Sequence, residues 1–451
     1  MAELLSVGLD VGTTTTQLVV SRLTAENRAS TFAVPHMEIT ARQVVYQSPV
    51  YFTPLLGVDR VDGEGIRALL AREYRAAGIA PEQVDTGAVI ITGETSRKEN
   101  AETVLHALSG QAGRFVVATA GPDLESILAA KGAGAVEYSE QTPVLHMDIG
   151  GGTSNLALCA DGRVTATGCL NVGGRLLKCT ETGVITYVSP VLADMGYAVG
   201  RVLTQPEAMA LARRLAAVLE MAAGLREKNG DFAHFTTQGT EIPQPVSGAV
   251  LSFSGGVADC IGRDVPWLEY GDLGPLLGRA IRESALCRGA YRLGSQTIRA
   301  TVIGAGCHAC LLSGSTVFIR GVPLPIKDLP VATVTELEQD LPTPELSRLL
   351  RSRLEAMEQW GVLALPGWQN PDYAQVTRLA DAISAAVGTL PCRIALRWDM
   401  AKALGHALAL RLPEDSPCLC LDGLELAGQC YLDVGNPVGP AYPVVIKTLV
   451  F

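Results

Sequence analysis

The chain has 451 residues, enough for two or three domains with a large core. Hydrophobic residues at 48% and charged residues at 18% exclude a disordered chain. A formal net charge of −10 argues against a general nucleic-acid partner, which needs a basic face, but leaves room for a local phosphate site made of backbone N–H groups.

The N-terminus, Met-Ala-Glu-Leu-Leu-Ser-Val-Gly-Leu-Asp, lacks the basic region of a signal peptide. No run of about 18 apolar residues marks a membrane span. A cytoplasmic protein with no membrane partner is expected, with its 11 cysteines reduced and packed in the core. Cys307-His308-Ala309-Cys310 is one Cys-x-x-Cys pair without a second, so buried packing is expected there rather than zinc.

Leu4–Leu9 and Gln17–Ser21 read as short strands around a Gly/Thr turn. Gly87–Thr92 reads as a buried strand, and Ala101–Leu108 has helical spacing. Val144–Asp148 and Leu156–Cys159 repeat the opening strand-turn-strand layout. Pro206–Arg226 reads as a long helix with proline near its start. Ala249–Ser254 is an apolar strand that runs into Gly255-Gly256. Pro323–Pro344 carries five prolines and reads as a linker. Two helical stretches follow, Glu345–Trp360 and Ala374–Val387, then a strand and helix over Cys392–Leu412, then short strands over Cys418–Phe451. The expected organisation is α/β throughout: lobes over 1–138 and 139–322, the linker over 323–344, and a C-terminal α/β region over 345–451.

The repeat carries the functional reading. Leu9-Asp10-Val11-Gly12-Thr13-Thr14-Thr15-Thr16-Gln17-Leu18 and Met147-Asp148-Ile149-Gly150-Gly151-Gly152-Thr153-Ser154-Asn155-Leu156 share one pattern: apolar, Asp, apolar, Gly, two small residues, Thr, hydroxyl, amide, Leu. Such a repeat implies two similar halves. Gly- and Thr-rich turns let backbone N–H groups approach phosphate oxygens. An Asp closing the first strand holds Mg²⁺ rather than phosphate, mostly through the ion's waters. Two facing loops would grip a nucleotide's phosphates from both sides, with Gly12, Thr13, Thr14, Thr15, Gly150, Gly151, Gly152 and Thr153 as the binding residues. Asp10 and Asp148 are the candidate residues for holding Mg²⁺ and organising the attacking water. Glu94, in a Gly-Glu-Thr turn, either orients water or holds a loop. Arg97 and Lys98 read as solvated, and Arg175 and Lys178 are candidates to reach the nucleotide. Leu432-Asp433-Val434-Gly435 imitates a phosphate loop for four residues, then lacks the Thr, and reads as a plain hairpin.

On these residues the sequence resembles the actin-like (ribonuclease H-like) ATPase superfamily, whose fold has two lobes and a nucleotide cleft. Asn171-Val172-Gly173-Gly174 is similar to the Gly-Gly before a helix in its chaperones. Ser252-Phe253-Ser254-Gly255-Gly256-Val257-Ala258 resembles its adenosine-contacting loop. Ala120–Ala135 is similar to its connecting helix, although here the proline precedes the acidic residues, so the catalytic carboxylate is Asp123, Glu125 or neither. Ile303-Gly304-Ala305-Gly306 resembles the second connecting segment.

Three further stretches resemble a narrower family, the ethanolamine ammonia-lyase reactivating factors: Ile91–Ala101, Val117–Ser126 and Pro443–Phe451. That resemblance implies a chaperone-like protein that uses ATP and Mg²⁺ to release damaged cobalamin from its partner, the adenosylcobalamin-dependent lyase. It also implies a place in the cytoplasm or in a bacterial microcompartment. A small-molecule kinase and a nucleotide-gated scaffold without useful turnover stay open as alternatives.

Overall fold

The computed structural model describes residues 2–12, 15–28, 37–57, 60–91, 100–101, 103–104, 107–108, 116–120, 122–237, 240–294, 296–308, 310–314, 316–357, 359–426, 430–439 and 441–448. Strand β1 (Ala2–Val11) buries Val7, Leu9 and Val11 on one face, and β2 (Thr15–Asn27) buries Leu18 and Val20 beside them. Between the two strands the Gly12 N–H donates to Thr15 O at 2.9 Å, which sets Asp10 opposite Gln17. Strand β3 (Met37–Gln47) pairs antiparallel with β2. The short β4 (Tyr51–Phe52) pairs with β2 right beside the turn. On the other side of β1, β5 (Thr86–Ile91) and β6 (Val116–Ala120) add in parallel, giving the order β3-β2-β1-β5-β6.

The second sheet repeats this plan with β7 (Val144–Ile149), β8 (Ser154–Ala160), β9 (Arg163–Leu170), β10 (Val250–Ser254) and β11 (Tyr291–Leu293). Its order is β9-β8-β7-β10-β11, again antiparallel on the hairpin side and parallel on the other. The turn is the same as well: Gly150 N–H donates to Thr153 O at 2.9 Å, and Asp148 stands opposite Asn155. Two sheets of one strand order, each opening on an Asp-x-Gly turn, make the duplicated α/β architecture of the actin-like fold.

Helix α1 (Gly63–Ala77) starts at Asp62, whose carboxylate accepts from Gly65 N–H, and ends at Gly78 with φ 68°. Helix α2 (Pro122–Gly132) leads from the first sheet to the second. Helix α3 (Gln205–Ala222) opens on a Thr204/Glu207 capping box and buries Leu211, Leu215 and Leu219 in the second sheet's core. Helix α4 (Ala300–His308) crosses α2. Gly132 lies against Ala300 O and Gly304 against Leu128 O, so close that any side chain at either position would strike backbone. Cys307 packs with Val19, Val302 and Ile303, and Cys310 is buried too. No helix among the described residues is long and apolar enough to cross a membrane.

The third sheet has eight strands: β12 (Leu311–Leu312), β13 (Phe318–Arg320), β14 (Ile326–Thr333), β15 (Val362–Leu365), β16 (Cys392–Leu396), β17 (Cys418–Leu421), β18 (Cys430–Val434) and β19 (Pro443–Thr448). They run in the order β12-β19-β18-β14-β15-β16-β17-β13. Helices α5 (Thr343–Glu355), α6 (Tyr373–Val387) and α7 (Ala401–Ala409) cover one face through Leu350, Leu379, Ile383 and Leu404. This corrects the linker reading of 323–344, because β14 lies within that stretch and in the middle of the sheet. Pro330 fits there because the parallel ladder to β15 begins only at Val331, which pairs with Val362. The sheet also reaches back before residue 323, to β12 and β13. Asp433 lies on β18, which forms a hairpin with β19; its Oδ1 accepts from Asp328 N–H at 2.6 Å.

Candidate functional site

The two turns open onto one cleft of about 370 Å³. Asp10, Gly12, Thr15 and Gln17 line it from the first sheet, and Asp148 with Gly150, Gly151, Gly152 and Thr153 from the second. Hydroxyls brace each turn from behind. Thr53 Oγ1 donates to Gly12 O at 2.7 Å, and Ser154 Oγ donates to Val172 O at 2.7 Å. Backbone bonds from Gly174 N–H to Gly150 O (2.9 Å) and from Arg175 N–H to Gly151 O (2.6 Å) tie the second turn to the Asn171–Gly174 segment. Gly174 lines the cleft. Gly173 stands behind it with its Cα against the Gly151 carbonyl, where only glycine fits.

Gly255 and Gly256 line the cleft where β10 ends. Gly255 takes φ 85° and lies against the backbone of Ile149, so glycine is required there on two counts. Val257, Asp259, Cys260, Tyr270 and Ile298 continue the wall beyond these glycines.

Asp148 is 6% exposed. Its Oδ1 accepts from Ser254 Oγ at 2.5 Å and its Oδ2 from Thr301 Oγ1 at 3.1 Å. Burial pushes the carboxyl's pKa up, and the two hydroxyls oppose that by favouring the ionised form. Arg175 reaches the cleft, but its guanidinium is paired with Asp272 at 2.9 Å, both side chains largely buried. The same guanidinium lies 5.8 Å from the ring centroid of Phe52, which projects from β4 of the first sheet. Lys178 is not among the lining residues and sits over the Tyr187 ring at 5.6 Å.

Of the two acidic residues on α2, Glu125 lines the cleft. Asp123 does not, and accepts from Thr167 Oγ1 at 2.6 Å. Thr13, Thr14, Glu94, Arg97 and Lys98 lie outside the described residues. The sequence reading missed His146, Thr301, Asp272 and Phe52, and it named Ser254 only as part of the Ser252–Ala258 loop, not as a partner of Asp148. A signal for His146 and for the role of Ser254 was present: His146 and Asp148, and Ser252 and Ser254, stand two apart in apolar strands, so each pair shares a face.

The cleft's chemistry is that of an anion site with oxygen donors. Backbone N–H groups in Gly-rich turns suit phosphate; those of Gly12, Gly150, Gly174 and Gly255 already donate within the fold, which leaves the part to the others in the turns, such as Gly151, Gly152 and Thr153. Two carboxylates with nearby hydroxyls suit a hard cation such as Mg²⁺, which takes one or two protein carboxylates and otherwise phosphates and water. Among the described residues no group of three or more His, Cys, Asp or Glu is placed to hold a metal by itself.

Comparison with known proteins adds the family. The family described as "Ethanolamine utilisation protein EutA" matches residues 2–451. A relative from Salmonella typhimurium, "Ethanolamine ammonia-lyase reactivase EutA", is 40% identical over 467 residues, covering 100% of this chain and 99% of that protein. Its Escherichia coli counterpart is 39% identical over the same span. Among solved structures, the ethanolamine utilization protein EutJ from Carboxydothermus hydrogenoformans is similar over 67% of this chain and 89% of its own, at 17% identity and a TM-score of 0.36.

Proposed function

This chain belongs to the EutA family of ethanolamine utilisation proteins, and on that premise we propose that it is an ATP-dependent reactivase of ethanolamine ammonia-lyase. It releases damaged cobalamin from the inactivated lyase so that intact adenosylcobalamin can bind. The observation that carries the nucleotide half of this reading is the matched pair of turns, with their Gly12–Thr15 and Gly150–Thr153 backbone bonds, on one cleft. The family membership carries the lyase. The same reading puts the protein beside the lyase, in the cytoplasm or a bacterial microcompartment.

In this mechanism the N–H groups of both turns other than those of Gly12 and Gly150, which close the turns, hold the phosphates of ATP. Gly255 and Gly256 leave space for the nucleoside, and Asp10 and Asp148 would hold Mg²⁺ from opposite sheets. When bound, Mg²⁺ neutralises charge on the phosphates and favours phosphoryl transfer. Glu125, which lines the cleft, orients the attacking water in this reading. Gly132 and Gly304 let α2 and α4 cross closely, so the crossing serves as the pivot for relative movement of the two sheets. Nucleotide that prefers the closed cleft biases that pivot, and a partner that binds the two arrangements unequally feels the bias.

The test uses lyase inactivated with damaged cobalamin bound. Adding this protein, adenosylcobalamin, Mg²⁺ and ATP should restore lyase activity, and omitting any one addition should abolish recovery. Asp10→Ala and Asp148→Ala should fold, yet lose on the order of 10²-fold or more in ATP hydrolysis and in reactivation. Reactivation by these variants at the parent's rate would separate the cleft from the release. A parent that restores nothing but phosphorylates a small molecule would make the protein a kinase.

A further inference from the structure

Behind Asp148 lies a buried imidazole that the proposed mechanism does not use. His146 is 0% exposed, two residues before Asp148 on β7, and its neighbours across β10 are Ser252 and Ser254. Both ring nitrogens are engaged, Nδ1 with Ser252 Oγ at 3.1 Å and Nε2 with Ser254 Oγ at 2.9 Å. Ser254 Oγ in turn donates to Asp148 Oδ1.

The proton inventory fixes the direction of this chain. A serine hydroxyl has one proton, and Ser254 gives its proton to the carboxylate. Ser254 Oγ must therefore accept from His146, so Nε2 carries the ring proton. Nδ1 is then the acceptor of a hydrogen bond donated by the Ser252 hydroxyl. A neutral imidazole has one donor and one acceptor, and the two serine contacts use both. Each bond in such a chain polarises the next.

Any buried histidine needs partners for its ring nitrogens; here one of those partners is the hydroxyl that also holds the Asp148 carboxylate. We infer that His146 is a positioning residue: through Ser254 it fixes the orientation of the Asp148 carboxylate in the cleft, and so sets how that carboxylate meets a cation brought in with nucleotide. The inference rests on the proposed nucleotide reading of the cleft. It parallels the way metal-ligating groups are commonly held by outer hydrogen-bond partners, whose loss costs roughly 10–100-fold in affinity or activity.

The test compares the full-length parent with Ser254→Ala, His146→Leu, His146→Gln and the Ser254→Ala/His146→Leu double variant. ADP binding is followed by calorimetry over a Mg²⁺ titration, alongside kcat and KM for ATP hydrolysis. Ser254→Ala and His146→Leu are each expected to raise the Mg²⁺ needed for half-maximal tightening of ADP by roughly 10-fold, and to lower kcat by roughly 10–100-fold with KM for ATP held within about threefold. The double variant should be no worse than Ser254→Ala alone, because the histidine acts through that hydroxyl. His146→Gln, which keeps one donor and one acceptor, should recover most of the loss. If His146→Leu lowers the melting temperature but leaves the Mg²⁺ requirement and kcat unchanged, His146 is a packing residue and the inference fails. Additive losses in the double variant would overturn the route through Ser254. Should His146→Leu not fold, Ser254→Ala and His146→Gln still decide, since an unchanged Mg²⁺ requirement in Ser254→Ala overturns the inference by itself. A parent that binds ADP with no response to Mg²⁺ overturns the cation role of Asp148, and this inference with it; a parent that responds to Mg²⁺ while every variant matches it overturns only the relay.

Discussion

Asp10 and Asp148 close equivalent strands at the same place in turns with the same backbone bond, yet the residues behind them differ. Two positions before Asp10 stands Gly8, lying against Val302 O and Gly306 N of α4. Two positions before Asp148 stands His146, facing serine hydroxyls. Asp10 has Ile90 as its neighbour on the adjoining parallel strand, and Asp148 has Ser254. The duplicated turn is thus conserved in shape while its backing has diverged, toward helix packing in the first sheet and toward a polar relay in the second. The Gly/Thr pattern sets the turn itself. The position two residues back is free to serve whatever packs behind the sheet.

The largest effect that would test this contrast is expected at Gly8. Gly8→Ala puts a Cβ into the backbone of α4, which cannot move without displacing the α2–α4 crossing. Thermal unfolding should show a melting temperature lower by about 10 °C or more, or no folded protein. A variant that melts within two or three degrees of the parent would mean the close approach is dispensable, and that the two backings differ less than they look. Next comes Thr301→Val, which leaves the buried Asp148 with Ser254 as its one hydroxyl donor among the bonds described here. A loss of about 1–3 kcal/mol is expected in denaturant unfolding. No loss would show that the second sheet's polar backing is redundant. Thr53→Val removes the brace on the Gly12 carbonyl and should cost about 1 kcal/mol by the same measurement. The smallest effect is expected for Phe52→Ala. The residue is 77% exposed and its ring meets Arg175 across the cleft, a contact worth about 0.5–1 kcal/mol. Stability should hardly change, while calorimetric ATP affinity should shift by a few-fold.

The sequence showed most of the frame of the cleft. Aligning Asp10–Leu18 with Asp148–Leu156 was enough to expect two similar halves, because turns of this kind are local and their residue types are constrained by backbone geometry. Glycines at 255 and 256 were legible for the same reason. The His146–Ser254–Asp148 relay was not, since it joins strands 106 residues apart and depends on the register between β7 and β10. Which of Asp123 and Glu125 lines the cleft likewise depends on the direction in which α2 presents each side chain. Over 323–344 the density of prolines does not interrupt the chain's regular structure, because Ile326–Thr333 is a strand inside the third sheet. In fact Pro330 occupies the one part of β14 that precedes its parallel ladder, where a missing N–H costs nothing on that side.

The way the third sheet is threaded limits how this protein can be divided. Its first two strands, Leu311–Leu312 and Phe318–Arg320, leave the chain directly after α4, and their partners, Pro443–Thr448 and Cys418–Leu421, come more than ninety residues later. A chain cut at residue 322 would keep both strands and lose both partners. It would expose two orphaned edges ready to pair with other molecules, and a shortened protein of that kind should aggregate. A cut before Leu311 removes the sheet as a whole and leaves α4 as the terminal helix, so an attempt to isolate the cleft by itself should end there.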